Sequence, residues 1–158
     1  MKLNMARILF GFIFLATLLG TPGAAHARSC SLTGTAGNYG FTLTGVVILG
    51  TGPVPIAAVG RAALDATGNV SGTESRSVGG GFADETFTGT YAVNPDCTGT
   101  TTLNFYESGQ LVRTSVLSLV FDNDERELRM VQKSLELPNG AFLPVVITVE
   151  ARRIFAED

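Results

Sequence analysis

Histidine is almost missing from this sequence: 158 residues contain one, His26. It falls inside a leader pattern, in which Lys2 and Arg7 give a positive start, Ile8 to Leu19 an apolar run, and Ala25-His26-Ala27 a small-x-small motif. That order predicts a secretory signal peptide over 1–27 and a single domain over 28–158. The mature chain then has no histidine, which excludes Ser-His-Asp triads, histidine metal sites and imidazole proton transfer. Long apolar runs are also scarce. The leader run is shorter than the about 20 residues a membrane span needs, and none of that length follows it. The expected location is secreted or periplasmic, with no membrane association after cleavage. A lipid anchor on Cys30 is the rival reading, but Ala27-Arg28-Ser29 lacks the apolar and small residues that lipoprotein processing uses.

Basic residues are few. Removing Lys2 and Arg7 from the eleven leaves nine against fourteen acidic ones, so the net charge moves from −3 to −5. A nucleic-acid or anionic-membrane partner would call for a basic patch instead. Cysteine is limited to Cys30 and Cys97. In an exported chain an even pair reads as a disulfide, with a redox pair or two free thiols as alternatives, and further ligands for a metal are not nearby. A bridge would close a loop of about 67 residues, for which loop-closure entropy corresponds to about 4 kcal/mol. No GxSxG, P-loop or GxGxxG stands between a strand and a helix, and neither a metal nor a cofactor is expected.

An uninterrupted helical apolar period is lacking as well, and strands are what remain. Tyr39 to Ile48 alternates aromatic and aliphatic with small and hydroxylic residues, and Gly50 to Pro55 breaks it. Ile56 to Ala66 would suit a short helix, but Gly60 at its centre favours a strand. Thr67-Gly68-Asn69 turns into Val70 to Val78, and Gly79-Gly80-Gly81 ends that strand, as in a hairpin. Phe82 to Asn94, Cys97 to Glu107, Leu111 to Phe121, Arg126 to Leu137 and Phe142 to Ile154 follow, separated by short turns. Eight short-linked strands form a meander, and eight is a number at which a sheet can close around side chains or one small ligand. The expected fold is all-β, an eight-stranded antiparallel up-and-down barrel, with a two-sheet β-sandwich as the alternative. The recurring Thr-Gly-Thr and Ser-Gly-Thr triplets are irregularly spaced and read as sites of strand curvature, not as a solenoid repeat.

Four segments carry a resemblance. They are Cys30 ahead of Tyr39-Gly40-Phe41, then Ala57 to Gly60, then Leu64 to Gly72 (LDATGNVSG), and finally Thr88 to Thr100 (TGTYAVNPDCTGT). In this order they resemble a group of small exported bacterial β-barrel proteins, over nearly the whole mature chain. The resemblance implies export and paired cysteines and brings no activity. A weaker similarity, of architecture alone, is to calycins and allene oxide cyclase-like barrels; no catalytic motif of either maps onto these residues.

Carboxylates, tyrosines, arginines and Lys133 are left for chemistry. Alternation puts Glu85 on the face of Phe87 and Tyr91, Arg113 on that of Leu111, Leu117 and Phe121, and Gln132 on that of Leu128 and Met130. Glu74 and Arg76 share the apolar-facing parity of their strand. Charges on a core face are costly unless paired, so these groups should meet one another or line a wet cavity. The bland alternative places them in solvent at strand ends. The acidic turn Asp122-Asn123-Asp124-Glu125 fails as an EF-hand, because the sixth and twelfth positions are Glu127 and Lys133. Asn69-Val70-Ser71 matches a glycosylation sequon by chance.

Two functions follow from this frame. One is a binding module with an apolar lumen, lined by such residues as Phe41, Phe87, Tyr91, Phe105 and Leu117, for a small hydrophobic ligand. The other is a cofactor-independent isomerase or cyclase that uses a lumenal carboxylate with arginine. A completely filled interior would argue against both. A structural or surface-interaction role, with hydroxylic outer faces packing copies of the barrel together, is the third.

Overall fold

The computed structural model describes residues 29–122 and 124–154. The leader segment and Asn123 lie outside them. The first element among the described residues is one helical turn, α1 (Leu32–Thr35), followed by β1 (Gly37–Leu49), β2 (Gly52–Leu64), β3 (Asn69–Val78), β4 (Gly81–Val93) and β5 (Thr98–Glu107). Then come β6 (Gln110–Asp122), β7 (Glu127–Glu136), the two-residue β8 (Phe142–Leu143) and β9 (Val145–Arg153). Every neighbour is antiparallel, and β9 pairs with both β7 and β1. The sheet therefore closes, and the fold is an eight-stranded meander barrel with β8 as a short addition. The sandwich alternative is excluded.

Alternation sorts the side chains. Tyr39, Leu43 and Val47 of β1, Phe87 and Tyr91 of β4, Leu117, Leu119 and Phe121 of β6 and Ile147, Val149 and Ala151 of β9 are buried. The intervening Thr42, Thr44, Thr86, Thr88, Arg129 and Glu150 face out and are exposed. This pattern is the inverse of a membrane-spanning barrel, whose outer face is apolar and whose interior is polar. Ile56 to Ala66 is strand as far as Leu64, as its central glycine indicated, but β2 starts at Gly52, so Gly50 to Pro55 does not break the ladder as expected. Gly60 pairs with Phe41 and Gly72 with Phe87, and each aromatic ring occupies the space where the glycine's Cβ would stand.

Three features depart from simple alternation. In β6, Phe105 pairs with Arg113 and Tyr106 with Leu111, so Val112 is an extra, bulged residue. Leu111 consequently leaves the face of Arg113 and is exposed, which corrects the expected grouping. A second bulge, at Lys133 of β7, moves the inward parity from Leu128 and Met130 to Leu135. The last predicted strand is interrupted at Pro144, which has no N–H to give to a ladder; its carbonyl still accepts from Ile48 N at 2.8 Å.

The two barrel ends differ. α1 lies at the end that carries the β2–β3, β4–β5 and β6–β7 turns. Ser31 caps it through the bond from Gly34 N to Ser31 Oγ, 3.1 Å. The Tyr39 hydroxyl donates to Thr35 O (2.8 Å), and Arg153 donates to Gly34 O and Ala36 O (2.7 and 2.8 Å). The Cys30–Cys97 disulfide ties the segment to the β4–β5 turn. The opposite end carries the β1–β2, β3–β4, β5–β6 and β7–β8 turns.

Candidate ligand site in the barrel lumen

The inward side chains do not fill the barrel completely. A void of about 60 Å³ remains, walled by residues from all eight long strands. Its surface is mostly aliphatic and aromatic, with Tyr39, Leu43, Phe87, Leu103, Leu117 and Ile147 among its walls. Phe41 and Phe105 flank Phe87, with ring centroids 6.0 and 5.3 Å from it. Glu74, Arg113, Ser115, Gln132 and Thr101 are its polar members.

Most polar lining groups satisfy one another. Gln132 donates to Ser115 Oγ and Ser134 O, both at 3.0 Å, and Thr101 donates to Thr90 O at 3.0 Å. The charged members form a network toward the end away from α1. Arg113 lies on the Phe105 ring, its guanidinium carbon 3.8 Å from the centroid, and reaches across to two carboxylates. It donates through Nη2 to Glu74 Oε1 at 2.7 Å and through Nη1 to Glu85 Oε2. Arg76 donates through Nε to the other Glu85 oxygen at 2.5 Å, and its Nη2 lies 3.5 Å from Glu107 Oε2. The carboxylate side chains of Glu74 and Glu85 are 1% and 0% exposed, those of Arg113 and Arg76 11% and 19%. Water therefore reaches the arginines and not the acids. Charges on the core face have met one another, and the solvated alternative does not hold for them.

Glu74 differs from Glu85 in one respect. Both Glu85 oxygens accept hydrogen bonds, whereas Glu74 Oε2 is buried and accepts none. Burial pushes the Glu74 carboxyl above its ordinary range; Arg113 opposes the shift, and the neighbouring Glu85 adds to it. A carboxyl of this kind can hold a proton and share it with Glu85, to which it is hydrogen-bonded.

Of the residues singled out from sequence, Phe41, Glu74, Phe87, Tyr91, Phe105, Arg113, Leu117 and Gln132 line the void. Glu85 and Arg76 do not; they stand behind Glu74 and Arg113 and hold them in place. The Tyr91 ring is a wall, while its hydroxyl points to the α1 end and donates to Asp65 O at 2.7 Å. Sequence reading missed Ser115 and Thr101. The parity of Arg113 and Leu117 already implied an inward Ser115, but a small hydroxyl on a strand is too common to mark a site.

No protein-family model matches the chain, and no curated protein does. Two solved structures share its fold. One is titled a redesigned β-barrel, mFAP1, bound to DFHBI, at 14% identity and a TM-score of 0.51 over 80% of this chain and all of that one. The other is EF1p2_mFAP2b bound to DFHBI, at 13% identity and a TM-score of 0.53 over 80% of this chain and 97% of that one. At such identities the likeness is one of barrel architecture.

Proposed function

We propose that the protein is an exported carrier or receptor that holds a small apolar ligand in its barrel lumen. The supporting observation is the apolar void lined by residues of all eight long strands, in a region where a filled core of leucines and aromatics would leave no space. Barrels of the same architecture have been solved bound to DFHBI, which fits this reading. Residues 1–27 act in it as the secretory signal, and the Cys30–Cys97 bridge suits an oxidising, extracytoplasmic compartment.

Size limits the ligand. Pockets for drug-sized molecules run to about 300–1,000 Å³, against about 60 Å³ here. The present void takes a molecule of a few heavy atoms. Anything larger displaces adaptable side chains, of which the unbranched Met130 is the most mobile in kind. The test is native mass spectrometry of the mature protein purified gently from its own host. A stoichiometric adduct released by unfolding is expected; a bare protein mass in repeated preparations overturns the reading.

A cofactor-independent isomerase or cyclase is the second reading, favoured by the buried Glu74 carboxyl, a lining residue of the void that burial pushes above its ordinary range. It separates from the first because Glu74→Gln would abolish turnover of the bound compound, while a carrier returns its ligand unchanged.

A further inference from the structure

The two ends of the barrel differ in what their turns expose. At the end away from α1 the turns are 50–51, 79–80, 108–109 and 137–141. Each has a large apolar residue standing in solvent within two positions of it: Leu49 (40% exposed), Phe82 (70%), Leu111 (40%) and Phe142 (64%). No charged residue occurs in 49–52, 78–82, 108–111 or 137–142. The flanking acids are Glu107, whose carboxylate lies 3.5 Å from Arg76 Nη2, and the half-buried Glu136. The α1 end is the opposite. Its turns carry Asp65, Asp96, Asp124 and Glu125, with Arg126 as their one basic residue.

We propose that the uncharged rim docks the protein onto a lipid bilayer, with Leu49, Phe82, Leu111 and Phe142 dipping into the interface and the acidic end turned to water. The proposal does not depend on a ligand in the lumen. One apolar residue on each of four successive hairpins makes a ring around the barrel mouth, and a flat surface meets all four together. Charge fits the same orientation: the mature chain is acidic, and approach by the α1 end would bring carboxylates against anionic headgroups, whereas the rim brings none. The attraction then comes from buried apolar area, as for other proteins that lie on a membrane without spanning it. A second copy fits the rim less well. Glycines at 50, 52, 79, 80, 81, 109 and 140 leave few side chains to interlock with a convex partner, and a protein interface needs dense packing at its centre. The sequence expectation of no membrane association rested on missing long apolar runs and basic patches, and residues spread one to a hairpin satisfy neither criterion.

The test uses the disulfide-bonded chain without segment 1–27, whose apolar run would bind bilayers by itself. Tryptophan is absent, so a single one reports its own surroundings. Phe82→Trp and Phe142→Trp place it on the rim, and Val120→Trp, at an exposed apolar position near the α1 end, is the control. The probes are phosphatidylcholine vesicles with brominated acyl chains, which quench a tryptophan that reaches them. Quenching is expected at 82 and 142 and not at 120, and the unsubstituted chain should co-sediment with the same vesicles from about 0.1 to about 1 M salt, because the rim has no charge to screen. Phe82→Ser and Phe142→Ser should each weaken partitioning about ten-fold, the loss of one large apolar group. Absence of the unsubstituted chain from the vesicle pellet overturns the proposal, as does equal quenching at 120. Binding that needs phosphatidylglycerol and disappears in salt overturns it too, since charge would then be the cause. A dimer in sedimentation velocity that Phe82→Ser dissociates, with no vesicle binding, would assign the rim to a second copy instead.

Discussion

Glu74 and Glu85 stand directly opposite one another across the β3–β4 ladder, both with buried side chains. Like charges in that relation are destabilising in an exposed sheet and more so in a core. The pair persists because Arg113, two strands away, spans the gap from above Phe105 and bonds to both. Geometry of this kind requires the closed barrel, since Arg113 on β6 reaches β3 only over an inward curve.

Replacing Arg113 therefore exposes the cost that it conceals. Arg113→Met keeps much of the side-chain volume over Phe105 and removes the charge, leaving Glu74 and one Glu85 oxygen unsatisfied. Breaking a buried ion pair on one side costs about 3–5 kcal/mol. Urea unfolding at neutral pH should show a loss of that order, and a loss below about 1 kcal/mol would mean that water already reaches the acids.

The same network sets a pH dependence. The Glu74 carboxyl sits above its ordinary value of 4.5, chiefly through burial. The folded protein thus binds a proton more readily than the unfolded chain, and this contribution to stability is fully present below 4.5 and lost as pH rises through the raised folded value. Asp65 and Asp96 act oppositely. Each is held below 3.8 by hydrogen bonds, from Asn69 and Thr67 onto Asp65 and from Thr98 onto Asp96, and their contribution is lost as pH falls below 3.8. Stability should rise on mild acidification from neutrality toward about pH 4.5 and fall again below 3.8. Thermal melts across this range in the wild type and in Glu74→Gln check it: the variant should lose the rise and keep the fall.

The strands and their inward faces were legible in the sequence because alternation in a closed barrel is enforced at every second residue, as with Phe87 and Tyr91 against Thr86 and Thr88. The bulges were not. An extra residue at Val112 or Lys133 changes parity without changing composition, and only the partner strand reveals it, so Leu111 was placed with the wrong neighbours. α1 was equally hidden, since Leu-Thr-Gly-Thr has little helical tendency and is held, beyond its own Ser31 cap, by bonds from Tyr39 and from Arg153 at the far end of the domain. Glu74, Glu85 and Arg113 were visible as charges on core faces. That one oxygen among them accepts no donor depends on register across four strands, which no local pattern encodes.

Gly72 marks where backbone and ring share space. It pairs with Phe87, and a Cβ at this position would run into that ring and into the carbonyl of Arg61 on the adjoining strand. Gly72→Ala must displace Phe87 from its contacts with Phe41 and Phe105, and overpacking of this kind costs about 1–3 kcal/mol. Gly50→Ala, where nothing lies within 4 Å, is the control and should change unfolding free energy little. Equal effects in the two variants would show that Phe87 moves aside freely, and that the lumen is softer than its packing implies.

The disulfide joins two residues in unlike conformations. Cys97 has φ of 68°, in the left-handed region that L residues adopt at a cost, where its N–H closes the turn onto Asn94 O at 2.9 Å. Removing the bridge by Cys30→Ala with Cys97→Ala releases a 67-residue closure, worth up to about 4 kcal/mol through the unfolded chain. The barrel ladders do not depend on the bridge, and α1 keeps its bonds from Tyr39 and Arg153, so the amide spectrum should stay dispersed while the denaturation midpoint falls. Pairing Cys30→Ala with Cys97→Gly separates the two contributions. Glycine accepts a positive φ without the Cβ penalty, so this variant should recover about 1 kcal/mol relative to the double alanine. Recovery shows that the turn keeps its left-handed residue without the cross-link. If the double alanine is the more stable, the turn has relaxed, and the disulfide itself holds Cys97 in that conformation and, through it, the end of the barrel that α1 covers.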